Sequence, residues 1–161
     1  MFRKVICLSL FTLLAFVSAV MTAQAPAQYG APIGVETAKK VAAAAVAEAR
    51  KNNWTMCIAI VDPGGNLVYF EKMDGTQTGS VNVSIDKAKS AALFKRPGKA
   101  FQDIVAACGE GLRILQLQGA IPIDGGFPLV MDGKIVGAIG ASGGTSDQYG
   151  VTGKAGTDSV K

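Results

Sequence analysis

Apolar positions change period several times along this chain, and each change marks an element. Val35, Ala38, Ala42, Ala45, Val46 and Ala49 recur at helical spacing, with Glu36, Lys39, Lys40, Glu48, Arg50 and Lys51 mostly opposite. This predicts an amphipathic helix that ends near Asn52-Asn53. From Trp54 to Val61 both alternations are apolar, the pattern of a strand covered on two faces. Asp62-Pro63-Gly64-Gly65-Asn66 is a turn, and strand character resumes from Leu67 to Met73, so the two runs form a hairpin.

Asp74 to Gly79 reads as a loop before a second helix from Ser80 to Lys95. Its apolar stripe is Val81, Ile85, Ala88 and Ala92, and beside it runs a separate stripe of Ser80, Ser84, Lys87 and Ala91, small but for the lysine. Pro97 restarts the chain into a short helix over Gly98 to Ala107. Gly109 to Gly126 is rich in Gly, with one Pro, and reads as a packed loop holding a short strand around Gly119 to Ile123. Phe127–Met131 and Lys134–Ala141 are strands joined by Asp132-Gly133, a type I′ hairpin signal. Ser142 to Ser146 leads into a last helix with Ser146 at the N-cap. The order α-β-β-α-α-β-β-α predicts a single α+β domain with helices around a mostly antiparallel sheet.

The N-terminal stretch follows another logic. Arg3 and Lys4 precede an apolar run from Val5 to Val20, then Ala23-Gln24-Ala25 and Ala25-Pro26-Ala27. This is the pattern of a secretory signal peptide, residues 1–27, leaving 28–161 as the mature domain in the periplasm or secreted. The run is short for a bilayer span, and no membrane association is expected after cleavage. Cleavage removes two basic residues and no acid, so the net charge falls from +4 to +2. That balance, without basic runs interleaved with aromatics, gives no case for nucleic acid. Cys57 and Cys108 remain in a compartment that permits one disulfide, with buried or free thiols as the equal alternative.

Histidine is absent from all 161 residues. This excludes a Ser-His-Asp triad, an HExxH zinc site and haem held by a proximal His. No clustered Cys or carboxylate spacing suggests a metal site. Asp62, Asp74, Asp132 and Asp147 sit at or near turns, where such side chains usually serve their own backbone.

Several motifs then stand in a fixed order: Lys51-Asn52-Asn53-Trp54, Asp62 to Leu67, Met73-Asp74-Gly75, Ser84 to Ala92, Gly125-Gly126-Phe127-Pro128, and Asp132 to Gly143. Together they resemble the GlcG/HbpS-type family, also known as the haem-degrading domain family, over roughly Pro32 to Gly156. The resemblance implies a profilin-like α-β-α sandwich and homo-oligomers, often octamers. It also implies haem as a ligand, with roles in haem turnover or iron sensing among relatives. The chain departs from the family pattern at Tyr149, where an acid is usual, and at Thr76, where Ala or Cys is common. The His that some relatives use for the cofactor has no counterpart.

The candidate ligand-binding residues are Asp74, Ser80, Ser84, Lys87, Gly125, Gly126, Phe127 and Pro128. Lys87 is a cation beside small hydroxyls near a helix N-terminus, suited to a carboxylate or propionate, with Arg96 a second partner. Gly125-Gly126 brings backbone close to a flat ligand that Phe127 would stack on. Solvated lysine and simple turn glycines are the competing interpretations. Ser142 to Ser146 offers N–H groups to an anion, or is only a helix entry. Met73, Tyr149 and Cys57 are chemically able to ligate haem iron. Two functions follow: an exported haem-binding protein, or a protein, enzyme or not, that binds a small organic acid or metabolite through Lys87 and the Gly-rich turns. A third alternative is an oligomeric module whose small stripe is a subunit contact.

Overall fold

The computed structural model describes residues 27–160, so the signal sequence expected over 1–27 lies, except for Ala27, outside the described residues. The chain runs β1 (Gln28–Tyr29), α1 (Val35–Lys51), β2 (Cys57–Val61), β3 (Leu67–Lys72), α2 (Ser80–Phe94), α3 (Gly98–Ala106), a 3-10 segment (Gly109–Gln116), β4 (Gly126–Met131), β5 (Lys134–Ser142) and α4 (Ser146–Asp158). Five strands form one sheet with β5 at its centre. Antiparallel β4 lines one edge of β5; β2, with β3 outside it, shares the other edge with the two-residue parallel β1.

Alternation along the central strands assigns the two faces. Ile58, Ile60, Ile139 and Ala141 form one core with Val41, Ala42, Ala45 and Ala49 of α1. Ala59, Val61 and Ala138 form the other with Ala88, Ala91 and Ala92 of α2. Every residue of β2 is buried, as its double apolar alternation predicts. Small residues let α2 sit unusually close to the sheet: a Cβ on Gly140 would overlap the Ser84 carbonyl oxygen and crowd the Ala88 nitrogen.

Both hairpins form where the sequence places them. Asp62 Oδ1 accepts from the Asn66 N–H at 2.9 Å, and Gly65 adopts φ +83°. Asp132 and Gly133 have φ of 49° and 73°, both positive as a type I′ turn requires. Two local expectations are overturned. No strand forms over Gly119 to Ile123: the Ile121 N–H donates to Ser90 Oγ at 3.0 Å and the Ile123 N–H turns back to the Ile121 carbonyl, so these amides face no ladder. The last helix is capped by Thr145, whose N–H donates to Gln148 Oε1 at 2.9 Å. Ser146 is instead the first helical residue, and its hydroxyl reaches Gln102. Strand β1 went unpredicted because two residues carry no period. Among the described residues, no helix is long and apolar enough to cross a membrane.

Candidate functional site

Helix α2 turns its stripe of Ser80, Ser84, Lys87 and Ala91 inward, onto the sheet. Ser80 and Ser84 are fully buried. Ser80 Oγ accepts from Gln77 Nε2 at 3.1 Å and from the Ser142 hydroxyl at 3.2 Å. The Ser84 hydroxyl donates to the Val81 carbonyl at 2.9 Å. These hydroxyls are spent on the helix and on the end of β5, and the small stripe serves helix–sheet packing.

Lys87 is different. It is 1% exposed and among the largest of the fully buried side chains. Its Nζ donates to the Ala141 carbonyl at 3.0 Å and lies 3.4 Å from the centre of the Tyr149 ring. Burial pushes its pKa down from 10.5 to about 7, opposed by the negative charge of Asp124. A lysine normally keeps its ammonium in water, so a single carbonyl and one ring face are a sparse replacement for hydration.

Gly125 and Gly126 make room for this side chain. Gly125 has φ +100°, and a Cβ there would collide with the Tyr149 Cβ and the Ala141 carbonyl. A Cβ on Gly126 would strike the Lys87 carbonyl. The Ala141 peptide ties the cluster together, because its N–H donates to the Gly125 carbonyl at 2.8 Å while its own carbonyl holds Lys87.

Asp124 extends the cluster to the surface. Its Oδ1 accepts from the Gly125 N–H at 2.6 Å, and its carboxylate lies against Gly150 of α4, where a Cβ would crowd it. Gln102 of α3 joins the same loop to α4: its Oε1 accepts from the Asp124 N–H and from the Ser146 hydroxyl, each at 2.9 Å. Outside lies an open groove of about 530 Å³ lined by Pro97, Lys99, Asp124, Phe127, Asp147, Gly150, Val151 and Lys154. Half-buried Phe127 forms part of its apolar wall, its ring packed on Gly153 of α4.

Of the residues picked out from sequence, the structure brings Lys87, Gly125, Gly126 and Phe127 together at this corner, with Pro128 following in β4. Asp74 stands exposed in the turn between β3 and α2, outside the groove lining. Arg96 is exposed, bonded to the Phe94 carbonyl and 5.3 Å from the Phe101 ring. Met73 packs against the α1 core. Cys57 is buried, and burial raises its thiol pKa. The Tyr149 hydroxyl is bound to the Gly144 carbonyl. In the Ser142–Ser146 turn, the Thr145 N–H is used by Gln148. Cys57 and Cys108 are both free thiols, which closes the disulfide alternative. No group of three or more potential metal-binding side chains gathers among the described residues.

Sequence reading missed Asp124, Gln102, Gly150, Val151, Lys99 and Lys154. One signal was available: Gly150, Gly153 and Gly156 recur every third residue of α4, marking a helix face that meets other atoms closely.

The fold and this corner define a single-domain α+β sandwich with a buried lysine beside a surface groove. Residues 33–157 match the family model described as "Haem degrading protein HbpS-like", and the chain belongs to that family. It is 36% identical over 107 residues to protein GlcG of Escherichia coli K12, covering 66% of this chain and 78% of GlcG. The structure of Klebsiella pneumoniae protein ORFY superposes with a TM-score of 0.74 at 28% identity, covering 84% of this chain and 94% of ORFY. A double mutant of Streptomyces reticuli HbpS gives 0.75 at 25% identity, covering 83% and 90%.

Proposed function

We propose that this protein is exported, assembles as a homo-oligomer and binds haem in the groove beside Lys87. The observation that carries the ligand is the family match across residues 33–157, which brings a haem-degrading description to this chain. The groove agrees with the periphery of haem. Pro97, Phe127 and Val151 supply apolar surface for a flat macrocycle, and Lys99 and Lys154 stand at the rim as ammonium partners for two propionates.

The iron is less well served. With no His in the chain, Cys57 buried and Met73 packed against the α1 core, the donors beside the groove are Tyr149, Asp124, Asp147 and the rim lysines. Tyr149 would first have to leave Gly144 and the lysine beneath it. Haem, when bound, would supply a redox-active iron, and Pro97, Phe127, Val151, Lys99 and Lys154 would hold its ring and carboxylates.

Oligomerisation is supported by exposed apolar side chains around the 3-10 segment, among them Leu112, Leu115 and Leu117 at 47, 62 and 41% exposure. Export is supported by the signal pattern over residues 1–27.

Haemin titration of the purified mature protein tests the ligand. The expected result is a saturable Soret shift, weakened in Phe127→Ala; absence of any saturable change in wild type overturns haem binding. Bleaching of the complex by peroxide or reductant separates degrader from carrier. Light scattering reports the subunit count, and the N-terminal sequence of periplasmic or medium fractions reports export and the cleavage site.

A further inference from the structure

Strand β3 is an outer edge of the sheet: β2 pairs with one side of it, and among the described residues no strand pairs with the other. The register tells which peptides face outward. The Met73 N–H donates to the Met56 carbonyl at 2.9 Å, so Tyr69 and Glu71, at alternate positions of the same antiparallel pair, also turn their peptide groups toward β2. Phe70 and Lys72 therefore aim N–H and C=O away from the sheet. Unpaired groups of this kind are a template for another strand.

The two faces of this edge differ. On the α1 side stand Tyr69 and Glu71, opposite Ile60 and Ile58, and the Tyr69 hydroxyl donates to Glu71 Oε2 at 3.3 Å. On the other side α2 lies over β2, β4 and β5 and scarcely reaches β3, which leaves Phe70 half-buried beside half-buried Ile85.

We propose that β3 pairs antiparallel with β3 of a second copy, with Phe70 on the two-fold axis, so that two sheets join into one. The inference rests on the homo-oligomer proposed above and assigns one of its contacts. Symmetry and charge together choose the register. A two-fold axis perpendicular to the sheet keeps each face continuous, so only residues of the same face stand opposite each other. A bulge at Val68 confines the regular edge to the stretch from Tyr69 onward. Three registers then bring outward-facing peptides together. Pairing Phe70 with Lys72 sets Glu71 against its own copy, and pairing Lys72 with Lys72 opposes two ammoniums; directly opposed like charges repel. Pairing Phe70 with Phe70 has neither defect. Those two residues exchange N–H···O=C bonds, and Tyr69 of each chain stands opposite Glu71 of the other, so each carboxylate meets a second phenol. On the α2 side the Phe70 rings and Ile85 side chains of both copies close into one apolar strip, removing from water the surface that α2 leaves open.

The test uses the mature protein carrying Cys108→Ser, which removes the exposed thiol and leaves Cys57 buried. In that background the double variant Tyr69→Cys, Glu71→Cys, oxidised with copper phenanthroline, is expected to form a disulfide-linked dimer, because directly opposite residues of a non-hydrogen-bonded pair have Cα atoms about 4.5 Å apart. Glu71→Cys alone is expected to stay unlinked, its counterpart in the second copy lying two residues out of register. Phe70→Lys places two ammoniums on the axis and should lower the mass seen by light scattering at least ~2-fold, with far-ultraviolet circular dichroism unchanged. Either experiment stands if the other variant fails to fold. Linkage through Glu71→Cys alone overturns the register and the proposal with it. An unlinked double variant, or an unchanged mass for folded Phe70→Lys, overturns edge pairing while an oligomeric wild type leaves the homo-oligomer standing; a monomeric wild type overturns both.

Discussion

Replacing Lys87 by Met should invert the usual cost of a core substitution in a pH-dependent way. Burial lowers the lysine pKa from 10.5 to about 7, and one unit is about 1.4 kcal/mol, so holding the charge inside costs at most about 5 kcal/mol. Below about pH 7 the folded and unfolded chains both carry the proton, and that cost is present in full. Between about 7 and 10.5 the unfolded chain binds the proton and the folded chain releases it. Wild-type stability therefore rises with pH by about 1.4 kcal/mol per unit through this window. Asp124 and the Tyr149 ring, which face the amine, favour its charged form and are common to both proteins. Methionine does not titrate; it forfeits the hydrogen bond to the Ala141 carbonyl, about 1–3 kcal/mol at any pH. Urea unfolding of wild type and Lys87→Met at pH 6, 7, 8 and 9 measures the difference directly. It should shift by nearly 3 kcal/mol in favour of wild type between pH 6 and 9, with Met equal or more stable at pH 6. A difference that is flat, or that falls with pH, refutes the burial argument.

Three further outcomes are expected. Gly125→Ala combines a positive φ with a collision against Tyr149 and the Ala141 carbonyl, and should cost more than about 3 kcal/mol in thermal or urea unfolding. Gly140→Ala should lift α2 from the sheet at a cost of about 2–4 kcal/mol, and near-ultraviolet circular dichroism should report the loosened packing. Reductant should leave the unfolding midpoint unchanged; a maleimide should label exposed Cys108 at once and buried Cys57 only on unfolding.

The sheet and its flanking helices were legible because burial imposes period. The double alternation of Cys57–Val61, the Asp132-Gly133 turn and the alanine faces of α1 and α2 each reflect one dominant force, and each formed as expected. Ser80 and Ser84 show the limit of such reading. A small polar stripe has the same spacing whether it faces a ligand, a subunit or a sheet, and Gly140 on another element decides that it faces the sheet. Lys87 was visible as an oddity, but its carbonyl partner is 54 positions away and no local pattern encodes that distance. Asp124 and Gln102 were hidden for the same reason, since their roles arise only where the loop, α3 and α4 converge. The absent histidine retains its force: it leaves the family fold intact, and under the proposed haem binding it would place the burden of recognition on the ring and its carboxylates.

Central to the account is that haem occupies the groove between β4 and α4. Val151 lines that groove and is 46% exposed, so Val151→Glu puts a carboxylate on the apolar wall without touching the core. Parallel haemin titrations of wild type and Val151→Glu, followed at the Soret band, are the direct measurement. The account predicts saturable binding by wild type and at least ~10-fold weaker binding by the variant, whereas equal affinities, or no saturable binding by wild type, would contradict it.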